Sequence, residues 1–427
     1  MKILVKQAVI ADPNSPFNGQ VTDILIEGDH IVKISKNITA QADEVLDTPG
    51  MMVSPGWVDI FSNFCDPGFE YRETLETGAE AAAAGGFTHV LVIPNTQPVV
   101  DSKSQVAYIC QKSKNLPVTI SPIGAITKGI EGKDLAEMYD MKQSGAIAFS
   151  DGSHPVQSPG LFLKALQYVK AFNGVLIQVP LDKSIGAGGL MNEGIISTRL
   201  GLPGIPSLAE EIIIKRDIDL LRYTQSKLHI TAVSTEKGLA LIEAAKNEGL
   251  QISCSVTPYH LFFCDEDLQT YDTNLKLNPP LRSRTDMLAL REAVLKGTVD
   301  CIASHHMPQD WDSKTCEFEY AKNGMTGLET CFAVVNHLLP ELEKERLVQL
   351  FSLNARNIFN LPVTNLQENA QADLTIFTQE AKTVLDKTAL KTKSHNSAFL
   401  DRELNGRVIG IVHKGKLILN QNQGYEN

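Results

Sequence analysis

The side chains of this sequence that could do chemistry are few, and they stand just after short apolar runs. They are Cys65, Asp151 and the adjacent pair His305 and His306. Carboxylate, imidazole and thiolate groups bind catalytic zinc, which takes about three protein ligands. Asp151 and one histidine supply two such ligands, and Cys65 would be the third. The residues alone therefore predict a polar site with no recognisable catalytic machinery.

Each of these residues also has a structural interpretation. An acidic residue at a strand end, such as Asp151, is more often a helix or turn cap, and we favour that role by about two to one. For Cys65 we favour a buried free thiol over a metal ligand. Because adjacent strand residues point to opposite faces, at most one of His305 and His306 faces the interior of a barrel.

The elements that must position these residues form a regular series. Eight apolar runs alternate with helical stretches, as in βαβ units: Val58–Phe61, His89–Pro94, Val118–Ile126, Ala146–Ser150, Gly174–Pro180, Lys227–Ser234, Leu250–Pro258 and Val299–His306. Eight parallel strands with crossover helices predict an α/β fold, a (β/α)8 TIM barrel. A doubly wound sheet is the alternative. In such a barrel the ends of the strands face the active site.

Both ends of the chain have a β pattern without convincing helices. The runs Ile3–Ile10, Val21–Ile34, Ala372–Phe377 and Gly406–Leu419 are rich in Val and Ile, and Gly28-Asp29 is a hairpin signal. We predict one small flanking β-sandwich domain built from residues 1–52 and 365–427. The barrel then spans residues 53–364.

Composition narrows the class of protein. The net charge of -11 argues against nucleic acid as a partner, because phosphate binding needs clustered Lys and Arg. No apolar run reaches the roughly 18 residues that a membrane span needs, so no membrane partner is expected. Seven cysteines without a Cys-x-x-Cys pair indicate a reducing, cytoplasmic location.

Two asparagines stand beside prolines at strand ends. Asn95 lies in Pro94-Asn-Thr-Gln-Pro98, and Asn278 begins Asn-Pro-Pro-Leu-Arg282. An amide at either place can contact a ligand, and a simple turn role is about as frequent. Both alternatives stay open for these residues.

Several stretches together resemble one family along nearly the whole chain. They include Ser54-Pro-Gly-Trp-Val-Asp59, Pro67-Gly-Phe-Glu-Tyr-Arg-Glu-Thr74, Pro94-Asn-Thr-Gln-Pro98, Gly189-Leu-Met-Asn-Glu-Gly194, Arg199-Leu-Gly-Leu-Pro-Gly-Ile-Pro206, Asn278-Pro-Pro-Leu-Arg282 and Gly327-Leu-Glu-Thr330. On these motifs the chain resembles the class I dihydroorotases of the amidohydrolase superfamily. Active members of that family are zinc hydrolases that interconvert carbamoyl-aspartate and dihydroorotate in pyrimidine synthesis.

The resemblance implies a metal site whose ligands are largely missing. The family's ligand positions fall here on Phe61, Asn63, Asp151, Val179, Ala232 and His305. The family's substrate-gripping arginine falls on Cys65. Two substrate-facing asparagines are retained as Asn95 and Asn278. We therefore expect no zinc, no other cofactor and no confident catalytic residue, with Asp151 and His305 merely standing at family catalytic positions.

The leading hypothesis is a non-catalytic, dihydroorotase-like protein. The family includes such chains, which support aspartate carbamoyltransferase in a mixed assembly, so an oligomer and that partner are expected. One alternative is an active dihydroorotase or another cyclic-amide hydrolase with an unusual ligand set drawn from Asp151, His305, His306 and Cys65. A second alternative is a small-molecule sensor that uses Asn95, Asn278 and Arg282.

Overall fold

A computed structural model describes residues 1–420 of the chain. It begins with five strands whose Val, Ile and Leu side chains are mostly buried: β1 (Lys2–Ile10), β2 (Val21–Glu27), β3 (His30–Ser35), β4 (Glu44–Leu46) and β5 (Met52–Pro55). Strands β2 and β3 pair antiparallel through a turn at Gly28, whose φ of 63° suits glycine. The predicted Gly28-Asp29 hairpin is confirmed.

The middle of the chain holds ten further strands. They are β6 (Trp57–Ser62), β7 (Phe87–Val92), β8 (Thr119–Gly124), β9 (Ala148–Phe149), β10 (Leu176–Gln178), β11 (Met191–Asn192), β12 (Gly204–Ile205), β13 (Leu228–Ile230), β14 (Ile252–Val256) and β15 (Cys301–Ile302). Strands β11 and β12 pair only with each other within the described chain. The other eight are the predicted barrel strands.

Those eight strands form one parallel sheet in sequence order, from β6 to β15. A doubly wound sheet would reverse its order at a switch point, and this sheet does not. The two ends of the sheet come together, because the Asn63 N–H donates to the His306 carbonyl at 2.8 Å. The Asp59 carboxylate accepts from the Ser304 N–H at 2.7 Å. The predicted (β/α)8 barrel is therefore confirmed, in a nearly closed form.

Twelve α-helices accompany these strands. They are α1 (Leu75–Ala84), α2 (Lys103–Lys112), α3 (Met138–Gln143), α4 (Pro159–Lys170), α5 (Ile195–Leu200), α6 (Leu208–Thr224), α7 (Glu236–Asn247), α8 (Pro258–Phe262), α9 (Arg284–Lys296), α10 (Cys331–Leu338), α11 (Lys344–Val348) and α12 (Asn354–Ile358), as far as residues 1–420 show. A π-helical turn, Gln349–Leu353, joins α11 to α12. Helix α1 begins at Leu75, because Thr74 is its N-cap and accepts a hydrogen bond from the Thr77 N–H.

The chain then returns to the first sheet through β16 (Leu374–Val384), β17 (Glu403–His413) and β18 (Lys416–Leu419). Strand β16 pairs antiparallel with β5, so strands from both chain ends share one flanking sheet, as predicted. Strand β5 crosses the predicted domain boundary at residue 52, and the exact domain limits stay a prediction. We call residues 385–402, which join β16 to β17, the strap.

Separate apolar clusters fill the barrel and join it to the flanking sheet. Trp57 is fully buried and packs against Phe87, Phe332, Phe351 and Phe377, with ring centroids 5.0–6.3 Å apart. Phe377 comes from β16, so this cluster ties the two parts of the molecule together. Across residues 1–420, no helix combines the length and the apolar character that crossing a membrane requires.

Candidate functional site

Two aromatic rings meet inside the barrel, at two of the family's metal-ligand positions. The ring of Phe61 stacks on the imidazole of His305, with centroids 4.3 Å apart and planes 22° apart. His305 Nε2 lies 2.7 Å from Thr231 Oγ1. Burial, reinforced by the nearby His260 and His229, lowers the pKa of His305 to about 3. This imidazole is therefore neutral and packed against an aromatic ring.

Val179 belongs to the same apolar cluster as Phe61. That cluster consists of buried side chains on or next to the barrel strands and α12: Val58, Ile60, Phe61, Leu91, Ile93, Ile123, Ala148, Val175, Ile177, Val179, Cys301, Ala303, Ala355, Phe359 and Leu361. Hydrocarbon side chains offer no lone pair to a metal ion. Two family ligand positions thus contribute to the packing of the barrel interior.

The residues at two more family ligand positions help to shape the backbone. Ala232 is fully buried and holds a φ of 55°, which residues other than glycine rarely adopt. Asn63 Oδ1 accepts a hydrogen bond from the Cys65 N–H at 2.9 Å. Since the Asn63 N–H also contacts His306, this residue shapes the turn after β6 and helps to close the barrel.

Cys65 occupies the position of the family's arginine. Its side chain is 1% exposed, and its φ is 59°. Burial raises the pKa of the Cys65 thiol to about 12, although the positive charge of Arg72 opposes the shift. A protonated, buried thiol fits the favoured interpretation, a free cysteine of the core, and it has no charge with which to bind a carboxylate.

The Asp151 carboxylate is turned toward the loop after β8. Oδ1 accepts from the N–H groups of Ile126 and Thr127, both at 2.9 Å, and Oδ2 accepts from Thr127 Oγ1 at 2.5 Å. Burial raises the pKa of Asp151 to about 6 against the opposing effect of these hydrogen bonds. Both oxygens are thus engaged, and Asp151 acts as a turn cap.

The two asparagines have different surroundings. Asn95 is held by the loop after β9, since its Nδ2 lies 3.3 Å from the Asp151 carbonyl and its Oδ1 accepts from the Ser153 N–H at 3.2 Å. Asn278 Oδ1 is buried and has no hydrogen-bond partner within residues 1–420. Of the two predicted substrate-binding amides, only Asn278 keeps an unengaged acceptor.

The two histidines make different contacts, and His306 binds Glu73 and Gly327 rather than stacking on Phe61. Its Nε2 lies 3.3 Å from Glu73 Oε2, and its Nδ1 accepts from the Gly327 N–H at 3.2 Å. Glu73 also accepts hydrogen bonds from the Thr392 hydroxyl and from the Lys393 N–H. His306 and Glu73 together therefore anchor the strap.

Arg282 lies in a buried network outside the barrel interior. Its side chain contacts Ser234 Oγ at 3.0 Å, Asn192 Oδ1 at 3.1 Å and Glu210 Oε2 at 3.7 Å. Burial lowers the pKa of Arg282, although the carboxylate of Glu210 opposes the shift. Its guanidinium stabilises the loops around β11 and β12 and does not join Asn95.

The sequence interpretation missed the role of the strap and its partners. Glu73 stands in one of the family motifs, yet the sequence indicated no role for its side chain. The strap contacts the loops after β6 and β15, where Ser394 Oγ donates to the Arg72 carbonyl and Asn396 Nδ2 to the Met307 carbonyl. These partners lie 80 or more residues apart in sequence, so no local pattern indicates them.

The residues present do not fit a zinc ion. Across residues 1–420, His, Cys, Asp and Glu side chains form no group of three or more that could hold a metal. Phe61, Val179 and Ala232 have no donor atoms, and the oxygens of Asp151 already bind a turn. A zinc site with three protein ligands cannot be assembled from this set without rearranging the interior.

Solved structures with the same architecture define the class of fold. The L-hydantoinase of Arthrobacter aurescens matches with a TM-score of 0.85 over 98% of this chain and 96% of its own, at 22% identity. A dihydropyrimidinase from Brevibacillus agri matches with a TM-score of 0.81 over 99% and 96%, at 17% identity. The barrel with its flanking sheet is thus the fold that these two proteins share.

Sequence comparison narrows this class to one family. A family model described as Dihydro-orotase-like matches residues 50–238. Proteins named dihydroorotase from Syntrophus aciditrophicus and Geotalea daltonii are 39% and 38% identical over 423 and 422 residues. Each alignment covers 98% of this chain and 99% of the relative. The chain belongs to the dihydroorotase family.

Proposed function

We propose that this protein is a non-catalytic member of the dihydroorotase family and a structural partner of aspartate carbamoyltransferase in pyrimidine biosynthesis. The observation that carries the proposal is the stacking of Phe61 on His305 at 4.3 Å. Phe61 stands at a family ligand position and His305 at the position of the family's catalytic aspartate, and here their rings are in contact. The space between them is packed.

The loss of substrate contacts supports the same conclusion. The arginine expected to hold the substrate carboxylate is replaced by Cys65, a buried and protonated thiol. A bidentate carboxylate clamp needs a guanidinium, and a thiol cannot substitute for it. The chain keeps the scaffold of the family but lacks its metal-ligand and substrate-gripping side chains, as a structural subunit would.

Assembly and location are part of this proposal. A mixed assembly with a pyrimidine-pathway enzyme places the protein in the cytoplasm as a subunit of an oligomer. All seven cysteines are free, in agreement with a reducing compartment. We expect the native protein to migrate with aspartate carbamoyltransferase in size-exclusion chromatography at a mass above that of either chain.

The direct test is co-purification of a tagged chain from its native organism, followed by size-exclusion chromatography with mass determination and a carbamoyltransferase assay. The proposal expects both chains in one peak, at a constant ratio across it. A peak of monomer or self-dimer without carbamoyltransferase activity would contradict it. An unrelated tagged protein from the same organism controls for capture by the resin.

A second candidate function is catalytic. Relatives that align with nearly the whole chain at 37–39% identity are named dihydroorotase. Their names favour an active enzyme with an unusual ligand set. The purified protein should be assayed for cyclisation of carbamoyl-aspartate and analysed for bound metal. We expect less than stoichiometric zinc and no turnover.

A matched pair of variants makes that assay decisive. Asp151→Ala removes a family ligand position, and Asp386→Ala removes an exposed carboxylate of the strap that caps its own turn. Stoichiometric zinc with turnover abolished only by Asp151→Ala would establish the catalytic alternative. It would also overturn the non-catalytic proposal.

A further inference from the structure

A cavity of about 350 Å³ lies between the strap and the loops after β14 and β15. Its walls include Tyr71, Trp311, Lys314, Lys387 and Lys393. None of the family metal positions lines this cavity, nor do Asn95 and Asn278, so it is distinct from the site described above. Its volume lies at the lower end of the range for small-molecule pockets, roughly 300–1,000 Å³.

The cavity carries positive charge that the described chain does not neutralise. Within residues 1–420, none of Lys314, Lys387 and Lys393 has a carboxylate within ion-pair distance. The one acidic residue of the wall, Asp310, is paired with Arg72 at 3.3 Å. Burial lowers the pKa of Lys314 to about 7, so the charge argument rests on Lys387 and Lys393. In a chain with a net charge of -11, these two unpaired lysines beside one cavity indicate an anionic ligand.

Two of these lysines are held in place by carbonyl groups. Lys314 Nζ donates to the carbonyls of Thr273 and Lys322 at 2.8 and 2.7 Å, and Lys393 Nζ donates to the Glu70 carbonyl at 2.7 Å. The contact with Glu70 orients the ammonium group of Lys393 without cancelling its charge. Lys387 makes no hydrogen bond through its side chain within the described part of the chain, so its ammonium is available to a ligand.

The same wall presents an unusually exposed aromatic surface. Trp311 is 75% exposed and Tyr71 is 56% exposed. Trp311 stacks on no other ring among residues 1–420, whereas the other tryptophan, Trp57, packs within the aromatic core. A large indole beside a positive cavity is suited to stacking on a planar ring.

We propose that this cavity binds a nucleoside 5′-monophosphate, with Lys387 and Lys393 facing the phosphate and Trp311 stacked on the base. Lysine ammonium groups bind phosphate as compact point charges, and two of them match the roughly two negative charges of a phosphomonoester at neutral pH. The concave shape favours a small molecule over a flat protein surface. The site does not depend on whether the barrel is catalytic.

The sequence provides its own probe for this site. Of the two tryptophans, Trp57 is 0% exposed, so a ligand that quenches tryptophan fluorescence on binding the cavity reports on Trp311. We expect saturable quenching on titration with UMP or AMP, and none after Trp311→Phe. Raising the ionic strength should weaken the binding.

Paired lysine variants test the charge requirement. The double variant Lys387→Gln/Lys393→Gln should bind UMP or AMP about tenfold or more weakly, since each lost ammonium removes a direct attraction to phosphate. Lys387→Gln alone breaks no side-chain hydrogen bond within residues 1–420, so a partial loss of affinity in that variant reports on the charge and not on a lost contact of the fold. The matched control is Lys164→Gln with Lys215→Gln, two exposed lysines of α4 and α6 that line no part of the cavity.

Separate ligands test each half of the proposal. Uridine and inorganic phosphate should each quench or compete much more weakly than UMP. Uridine as strong as UMP would overturn the phosphate contact, and inorganic phosphate as strong as UMP would overturn the ring contact. The whole proposal fails if neither nucleotide saturates at millimolar concentration, or if the control pair loses as much affinity as the lysine pair.

Discussion

At the scale of single residues, the interior of this barrel is decided by a few side chains. Phe61 and Val179 belong to its apolar cluster, and His305 is neutral beside them. A histidine at position 61 would bring a polar ring into this cluster, where burial without partners is costly. Packing and metal binding are therefore competing uses of the same positions.

Replacing Phe61 tests how much of the fold depends on this packing. We expect Phe61→Ala to lower the free energy of unfolding by about 3–5 kcal/mol, because a buried aromatic ring would leave a cavity against His305 and its apolar neighbours. Urea unfolding followed by circular dichroism measures the change. Tyr223→Ala, at a 74% exposed aromatic residue of α6, should change it by less than about 0.5 kcal/mol. A loss below about 1 kcal/mol for Phe61→Ala would contradict the packing role.

The buried imidazole of His305 predicts a dependence of stability on pH. Its pKa is about 3 in the folded protein and 6.5 when unperturbed, so between these values the unfolded chain binds one more proton. The contribution of His305 to stability therefore decreases as the pH falls from 6.5 toward 3.

Removing this imidazole should change the slope of stability against pH. Between about pH 4 and 6, the free energy of unfolding should rise with pH less steeply in His305→Gln than in the wild type. The two slopes should differ by about 1.4 kcal/mol per pH unit. Urea unfolding at several pH values gives both slopes. His30→Gln, at a ring with a 56% exposed side chain, is the control and should leave the slope nearly unchanged. Equal slopes for His305→Gln and the wild type would mean that His305 is already charged in the fold.

At the scale of elements, the strap links the flanking sheet to the mouth of the barrel. Two carboxylates hold its middle, since Glu73 accepts from the Lys393 N–H and Glu329 accepts from the N–H groups of Lys391 and Thr392. Burial raises the pKa of Glu329 to about 7, with these hydrogen bonds opposing it. The position of the strap therefore depends on a few charge-assisted contacts.

Removing one of these carboxylates should loosen the strap locally. We expect Glu73→Ala to speed amide hydrogen exchange at Thr392 and Lys393 by about tenfold or more, because a hydrogen bond to a charged group contributes about 1.5–3 kcal/mol. Hydrogen exchange followed by mass spectrometry resolves this segment. Glu70→Ala, which removes a nearby exposed carboxylate, should leave the exchange unchanged. Equal exchange in both variants would mean that other contacts hold the strap.

At the scale of the whole molecule, a buried ion pair joins the barrel to the flanking sheet. Arg356 in α12 contacts the Asp373 carboxylate beside β16 at 2.7 Å and the Gly56 carbonyl before β6 at 2.8 Å. The positive charge of Arg356 and a hydrogen bond from His413 lower the pKa of Asp373 against the effect of burial. Both parts of the molecule meet at this pair.

Breaking the pair should destabilise both parts together. We expect Arg356→Ala to lower the free energy of unfolding by about 3–5 kcal/mol, because it leaves the buried charge of Asp373 without its partner. The control is Lys382→Ala, which breaks a surface pair with Glu403 whose side chains are 64% and 58% exposed. It should lower the free energy of unfolding by less than about 1 kcal/mol. Urea unfolding monitored by near- and far-ultraviolet circular dichroism compares them. Two separate transitions in the wild type would show that the sheet and barrel unfold independently.

The sequence by itself determined the elements of this protein. Alternating apolar runs and helical stretches predicted eight barrel strands, and the β pattern at both chain ends predicted the flanking sheet, because strand and helix periodicity are local properties. The predicted limits differ from the observed ones by a few residues. Motifs in order along the chain also predicted the family, which the full-length relatives confirm.

Only the tertiary structure decided what the strand-end residues do. The sequence could place Phe61, Asp151 and His305 at strand ends, yet the stacking of two rings 244 positions apart and the turn bound by Asp151 depend on side-chain directions in the closed barrel. The cavity with Lys387 and Trp311 depends on a strap that folds back across the barrel mouth. Contacts between residues so distant in sequence leave no periodic signal, so packing alone determines them.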